Sequence, residues 1–185
     1  MARRLFIAAG IRKDLKQDIY DHTARAFSDH DNIRIIPPEN LHITLKFIGY
    51  AGDRTAGEIK RITGEAVCGH KSFEYTVERH LDAFPHIKKA SIVFLGIKKG
   101  SGSLSDIFDS LEKRLVLYGL EKEKRKFHPH ITAARIKKPI DITSVAGMPF
   151  SCSEKTYRIG HVSVYESILD SRGARYIIIE RFVLK

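Results

Sequence analysis

Apolar positions recur along this chain with two different periods, and the switches between them mark its elements. Leu5, Phe6, Ile7, Ala8 and Ala9 form a short apolar run closed by Gly10, which predicts a buried strand bounded by a turn. Leu15, Ile19, Thr23, Ala26 and Phe27 then recur at three- and four-residue steps among charged neighbours, the stripe of an amphipathic helix. Ile33 to Ile36 reads as a short extended segment halted by Pro37 and Pro38. Leu41 to Ile48 reads as a strand that stops at Gly49, and from Asp53, a suitable N-cap, Ile59, Ile62 and Ala66 give a weaker helical face. Phe73, Tyr75 and Val77 alternate with polar residues as in a half-buried strand.

The second half repeats this order. Ile92 to Ile97 predicts a strand, and Leu104, Ile107, Phe108, Leu111 and Leu115 mark a helix that Ser103 would cap. His130 to Ile136, His161 to Tyr165 and Tyr176 to Val183 supply further extended segments rich in β-branched and aromatic residues. The interspersed pattern predicts an α+β fold. No Gly/Ser-rich linker divides the halves, so residues 1–185 are expected to form a single domain of two related, closely packed lobes.

One place shows the repeat plainly: LHITLKFIG at 41–49 and PHITAARIK at 129–137 share the core HIT. Strict alternation puts His42, Thr44 and Lys46 on one strand face, with Leu41, Ile43, Leu45 and Phe47 on the other. His130 and Thr132 have the same spacing, and Ile131 turns away. If the two strands flank a pseudo-twofold axis, two imidazoles and two hydroxyls meet in one cleft suited to a tetrahedral anion. Imidazole can give and take a proton near neutrality, because its pKa is about 6.5. One histidine could take a proton from attacking water while the other supplies one to a leaving oxygen, with the threonine hydroxyls holding the phosphate. Spacing alone does not say which imidazole is acid and which is base.

Composition adds to this picture. Lys and Arg outnumber Asp and Glu by 32 to 22 in 185 residues, and the net charge of +10 favours a polyanionic partner. Cys68 and Cys152 lie far apart, outside any C-x-x-C arrangement, and read as reduced core thiols. The apolar stretch in MARRLFIAAGIRKDL is too short for a secretory segment, and no run reaches membrane-spanning length, so a cytoplasmic, monomeric protein without membrane attachment is expected.

At RLFIAAGI, IPPENLHITLKFIG, FHPHITAAR and VYESILDSRGARY, in that order, the sequence resembles the 2H phosphoesterase superfamily, and within it the RNA 2′,3′-cyclic phosphodiesterase family also called 2′-5′ RNA ligase. The resemblance implies a bilobal pseudo-twofold fold, with two antiparallel-rich sheets facing a central cleft and helices outside. It also implies hydrolysis of 2′,3′-cyclic phosphate ends of RNA, or of cyclic nucleotides, to a 2′-phosphate without metal or other cofactor. By position, His42 is then the proton donor to the leaving oxygen, His130 the proton acceptor that activates water, and Thr44 and Thr132 the phosphate ligands.

Arg135 matches the arginine closing the family's second motif, but strict alternation puts it on the face away from His130, so a bulge or the strand's end must bring it round. Ala133 and Ala134 depart from the bulky apolar residue usual after Thr132, which touches local packing more than chemistry. Tyr165 is expected to line the pocket. His161-Val-Ser163 also satisfies H-x-S, and the resemblance places it in a strand near the cleft without a catalytic part. A zinc site from His42, His128 and His130 is disfavoured, because no cysteine lies near and no H-E-x-x-H helix is present. Two other readings remain: 2′-5′ joining of RNA ends at the same site, and a non-catalytic RNA-binding module resting on charge alone.

Overall fold

The computed structural model describes residues 2–170 and 173–185; Ser171 and Arg172, within the VYESILDSRGARY motif, lie outside the described residues. The elements run β1 (Arg3–Ala9), α1 (Lys13–Ala26), β2 (Ile33–Ile35), β3 (Ile43–Ala51), α2 (Asp53–Val67), β4 (Phe73–Tyr75) and β5 (Val77–Phe84). They continue with β6 (Ala90–Ile97), α3 (Ser101–Leu117), β7 (His130–Ile140), α4 (Thr143–Ala146), β8 (Tyr157–Ile159), β9 (His161–Asp170) and β10 (Gly173–Val183). Among the described residues an eight-stranded sheet runs β10-β9-β1-β3-β7-β6-β5, with β2 paired to β7, and β4 pairs with β8 in a separate two-stranded ribbon. Each of these pairings is antiparallel.

The large sheet narrows at its middle. β3 and β7 meet at one register pair, Ile43 opposite Ile131. Two lobes follow, β10-β9-β1-β3 and β5-β6-β7-β2; the α+β, antiparallel arrangement expected above is present, with the two sheets joined through that pair into one. The helices interlock them. α1, which follows β1 of the first lobe, packs on β2 and β7 of the second, while α3, which follows β6 of the second, packs on β3 of the first and on α2. α2 covers β1, β9 and β10. Ile7, Leu15, Ile43, Ile59, Leu95, Leu104, Leu111 and Ile131 therefore share one apolar cluster drawn from both lobes and all three long helices.

Several boundaries differ from the pattern-based expectation. β3 does not stop at Gly49: that glycine, with φ of 86°, pairs with Leu5 and leaves Ile48 as an extra residue, and the ladder continues to Ala51 opposite Arg3. Gly52 caps α2, and Asp53 is its first residue. Phe73, Tyr75 and Val77 do not share one strand. Phe73 and Tyr75 pair with β8, and Thr76 accepts a hydrogen bond from the Lys98 N–H at 2.9 Å, which starts the β5–β6 pairing instead. α3 begins at Ser101, ahead of Ser103, because Gly100 adopts a left-handed φ of 82° there; a Cβ at that position would meet the Glu74 carbonyl oxygen at 2.7 Å.

Candidate active site

The two HIT segments leave their strands' regular pleat at the same point. On β3, Ala8 of β1 faces Thr44 and Ile7 faces Lys46, so Leu45 is an extra residue. On β7, Phe94 of β6 faces Thr132 and Val93 faces Ala134, so Ala133 is extra. A bulge puts two consecutive side chains on one side and inverts the alternation beyond it. Leu45 and Lys46 both turn inward, as do Ala133 and Ala134, and the next residues, Phe47 and Arg135, return to the outer face that carries the histidines. Ala133 and Ala134 therefore suit the second bulge.

Two sequence expectations change as a result. Lys46 does not share the face of His42: it is 7% exposed, its ammonium pairs with the Glu112 carboxylate of α3, and it donates to the Glu121 carbonyl at 3.0 Å. Phe47, expected in the core, is 64% exposed. Arg135 stands on the histidine face after all, brought round by the bulge.

Continuing the Ile43–Ile131 register by one residue sets His42 opposite Thr132 and Thr44 opposite His130, with all four side chains on the face away from the helices. The two imidazoles are held alike. Nδ1 of His42 lies 2.7 Å from the Asn40 carbonyl oxygen, and Nδ1 of His130 lies 2.7 Å from that of His128. A carbonyl only accepts, so each Nδ1 carries the proton, and Nε2 of each neutral ring is the basic atom. Nε2 of His42 accepts from the Thr44 hydroxyl at 2.9 Å.

Aromatic rings enclose both histidines. Phe6, Tyr176 and Tyr165 stand 4.9, 5.3 and 6.1 Å from His42 between ring centroids, and Tyr165 stacks on Phe6 at 5.0 Å. Phe94 and Phe84 stand 5.0 and 5.3 Å from His130. This enclosure strips water from the rings and penalises the imidazolium. Burial drives the His42 pKa down to about 4, against the opposing pull of the Asn40 carbonyl, with Lys16, His130 and Arg135 adding repulsion. His130 is lowered by the same cause, with His128 and Arg135 contributing. His130 and Arg135 thus both act on the His42 ring, and Arg135 acts on His130 as well.

Tyr165, expected to line the pocket, stands beside the His42 ring. The sequence pattern does not single out Phe6, Tyr176, Phe84 or Phe94: Phe6 is hidden in a continuous apolar run, and Tyr176 reads only as part of a strand. His161 lies against the backbone of Gly10, where a Cβ would collide with its Nε2. Among the described residues no three His, Cys, Asp or Glu side chains are arranged to hold a metal ion. Cys152 is buried and donates to Asp18 at 3.0 Å, but Cys68, expected in the core, is exposed.

Comparison with known proteins places the chain in a family and a fold. The family described as the 2′-5′ RNA ligase superfamily matches residues 14–163. The chain is 31% identical over 148 residues to an RNA 2′,3′-cyclic phosphodiesterase of Aeropyrum pernix, a match covering 78% of this chain and 82% of that one. It is 29% identical over 191 residues to a protein of the same name from Methanothermobacter thermautotrophicus, with both chains wholly covered. In fold it is similar to E. coli LigT complexed with 3′-AMP, with a TM-score of 0.84 at 22% identity, covering 100% of this chain and 99% of that one.

Proposed function

This chain belongs to the 2′-5′ RNA ligase superfamily, and from that membership we propose that it hydrolyses 2′,3′-cyclic phosphate ends of RNA to 2′-phosphates by two-histidine acid–base catalysis. The observation that carries the reading is the paired, equally bulged HIT strands, each with an Nδ1-anchored imidazole and a threonine, which meet at the Ile43–Ile131 pair. The cyclic-phosphodiesterase names of the relatives supply the substrate class.

In the proposed step, Nε2 of His130 takes a proton from a water molecule as its oxygen bonds to phosphorus. The bond from phosphorus to the 3′ oxygen breaks in line, and the proton on Nε2 of His42 passes to that oxygen. Thr44 and Thr132 donate to non-bridging oxygens, and Arg135 offsets their negative charge. His42 is neutral in the unliganded protein at neutral pH, so it must gain its proton when substrate binds. The phosphate's negative charge beside Nε2 favours that gain by opposing the desolvation that lowers the pKa. The Thr44 hydroxyl that now donates to Nε2 would then be released to turn towards phosphate.

The test is turnover of adenosine 2′,3′-cyclic phosphate and of a cyclic-ended oligoribonucleotide in the presence of a chelator, with the product identified by ³¹P NMR. The expected product is the 2′-phosphate, and His42→Ala or His130→Ala should each lose roughly a hundredfold or more in kcat. Undiminished activity in either variant would overturn the assignment. RNA binding that is salt-sensitive but accompanied by no turnover would favour the binding-module reading instead.

A further inference from the structure

A cavity of about 520 Å³ lies beside Phe47, further along the strand that follows His42, and the catalytic scheme makes no use of it. One wall is Phe47, Ile48 and Lys46 of β3, and the other is the segment from Leu120 to Arg125 that leads into β7. Three features coincide there. Phe47 is 64% exposed, so its phenyl face is open to a ligand, on the same strand face as His42 and Thr44. Its ring lies 6.2 Å from Phe6, which in turn lies 4.9 Å from His42, so a line of rings leads from the imidazole to the cavity. The facing segment reads EKEKRK from Glu121 to Lys126, and Lys122, Lys124 and Arg125 line the cavity.

That segment is held in place although its side chains are exposed. The backbone N–H of Glu123 donates to Glu112 at 2.8 Å, and the Glu121 carbonyl accepts from Lys46 at 3.0 Å. The buried Lys46–Glu112 pair thus ties the loop to β3 and α3. The cations are therefore presented by an anchored backbone opposite an exposed ring.

An exposed aromatic face opposite a row of cations matches the chemistry of single-stranded nucleic acid, in which bases stack and backbone phosphates meet Lys and Arg. We propose that this cavity is a subsite for the RNA strand 5′ to the cyclic end, with a base stacked on Phe47 and backbone phosphates held by Lys122, Lys124 and Arg125. It rests on the phosphodiesterase reading for the identity of the groove, and it makes the protein an enzyme of RNA ends in preference to free cyclic nucleotides.

The experiment has two arms. In the first, fluorescence anisotropy follows a 5′-labelled hexaribonucleotide with a 2′,3′-cyclic end over a range of salt concentrations. Phe47→Ala should weaken binding roughly tenfold, and Phe47→Tyr, which keeps a stacking ring, should restore it. The triple variant Lys122→Gln, Lys124→Gln, Arg125→Gln should flatten the slope of log affinity against log salt by about 0.7 for each phosphate no longer neutralised. In the second arm, the ratio of kcat/KM for the oligonucleotide to that for adenosine 2′,3′-cyclic phosphate should fall about tenfold in Phe47→Ala. Wild-type affinity and salt slope in all three variants would overturn the subsite. Failure of the wild-type chain to turn over either substrate would overturn the phosphodiesterase reading alone, and the anisotropy arm would still decide the subsite.

Discussion

The proton inventory of the groove rests on a single atom choice in each histidine. Because Nδ1 of His42 and of His130 donates to a carbonyl two residues back, the proton moved in the proposed step would reside on Nε2. Both rings are enclosed and titrate below the ordinary imidazole value, His42 at about 4. The sign of the pH dependence follows. In the proposed scheme the productive form of the unliganded protein has His130 neutral and His42 protonated, and above a pH of about 4 the second condition is met by a shrinking minority. The pH profile of kcat/KM, which reports free enzyme, is therefore expected to peak on the acid side of neutrality and to decline as pH rises. In the complex the bound phosphate favours the His42 imidazolium, so the declining limb of kcat should lie at higher pH than that of kcat/KM. Steady-state kinetics from mildly acidic to mildly alkaline pH would check both, and a kcat/KM still climbing at a pH of about 8 would contradict the assignment of His42 as donor.

The bulges on β3 and β7 account both for how much of the site is legible in the sequence and for where the pattern stops being a guide. The HIT cores lie before the bulge, in regular pleat, so alternation pairs His42 with Thr44, which share a hydrogen bond, and His130 with Thr132. Beyond Leu45 and Ala133 the same rule inverts, so simple alternation sends Lys46 outward and Phe47 inward, opposite to where they stand. Nothing local in LKF announces an extra residue: a bulge is set by the partner strand's register, and β1 lies far away in sequence. Gly49 misleads for a related reason, since glycine serves both to end strands and to bulge them. The helices are clearer, because Leu15 to Ala26 and Leu104 to Leu115 carry their periodicity within themselves. The inverted Lys46 has an energetic consequence. It and Glu112 are both nearly enclosed, and removing one partner strands a buried charge. Lys46→Met should cost about 3–5 kcal/mol, whereas Lys46→Met combined with Glu112→Leu should recover most of that loss. Urea unfolding of the two variants would decide, and equal destabilisation by single and double changes would mean that the pair is not isolated in this way.

At the scale of the molecule, the swapped packing of α1 and α3 makes each lobe's core depend on a helix from the other half of the sequence. Neither half can bury its apolar face alone, so unfolding is expected to be a single transition in which probes in the two lobes coincide. The groove imposes a pH dependence on that transition. His42 binds a proton at about pH 4 when folded and near pH 6.5 when unfolded, so the unfolded chain holds the extra proton between those values. Its contribution to stability is thus full above about pH 6.5 and is lost as pH falls towards about 4. For His42 alone the loss from about pH 7 to about pH 5 is about 2 kcal/mol. His130, His22 and His161, each also lowered by burial, push in the same direction. Urea midpoints at about pH 7 and about pH 5 should therefore differ markedly in the native chain and less in His42→Gln, which cannot titrate. The carboxylates whose pKa values are lowered, Asp14, Asp53, Glu74 and Asp141, lose their contribution only below about pH 5, outside that comparison. Added phosphate should shrink the same gap, because an anion in the groove stabilises the folded state in which His42 is charged. Equal midpoints at the two pH values, without any anion present, would mean that His42 is better solvated than its ring of aromatic neighbours implies.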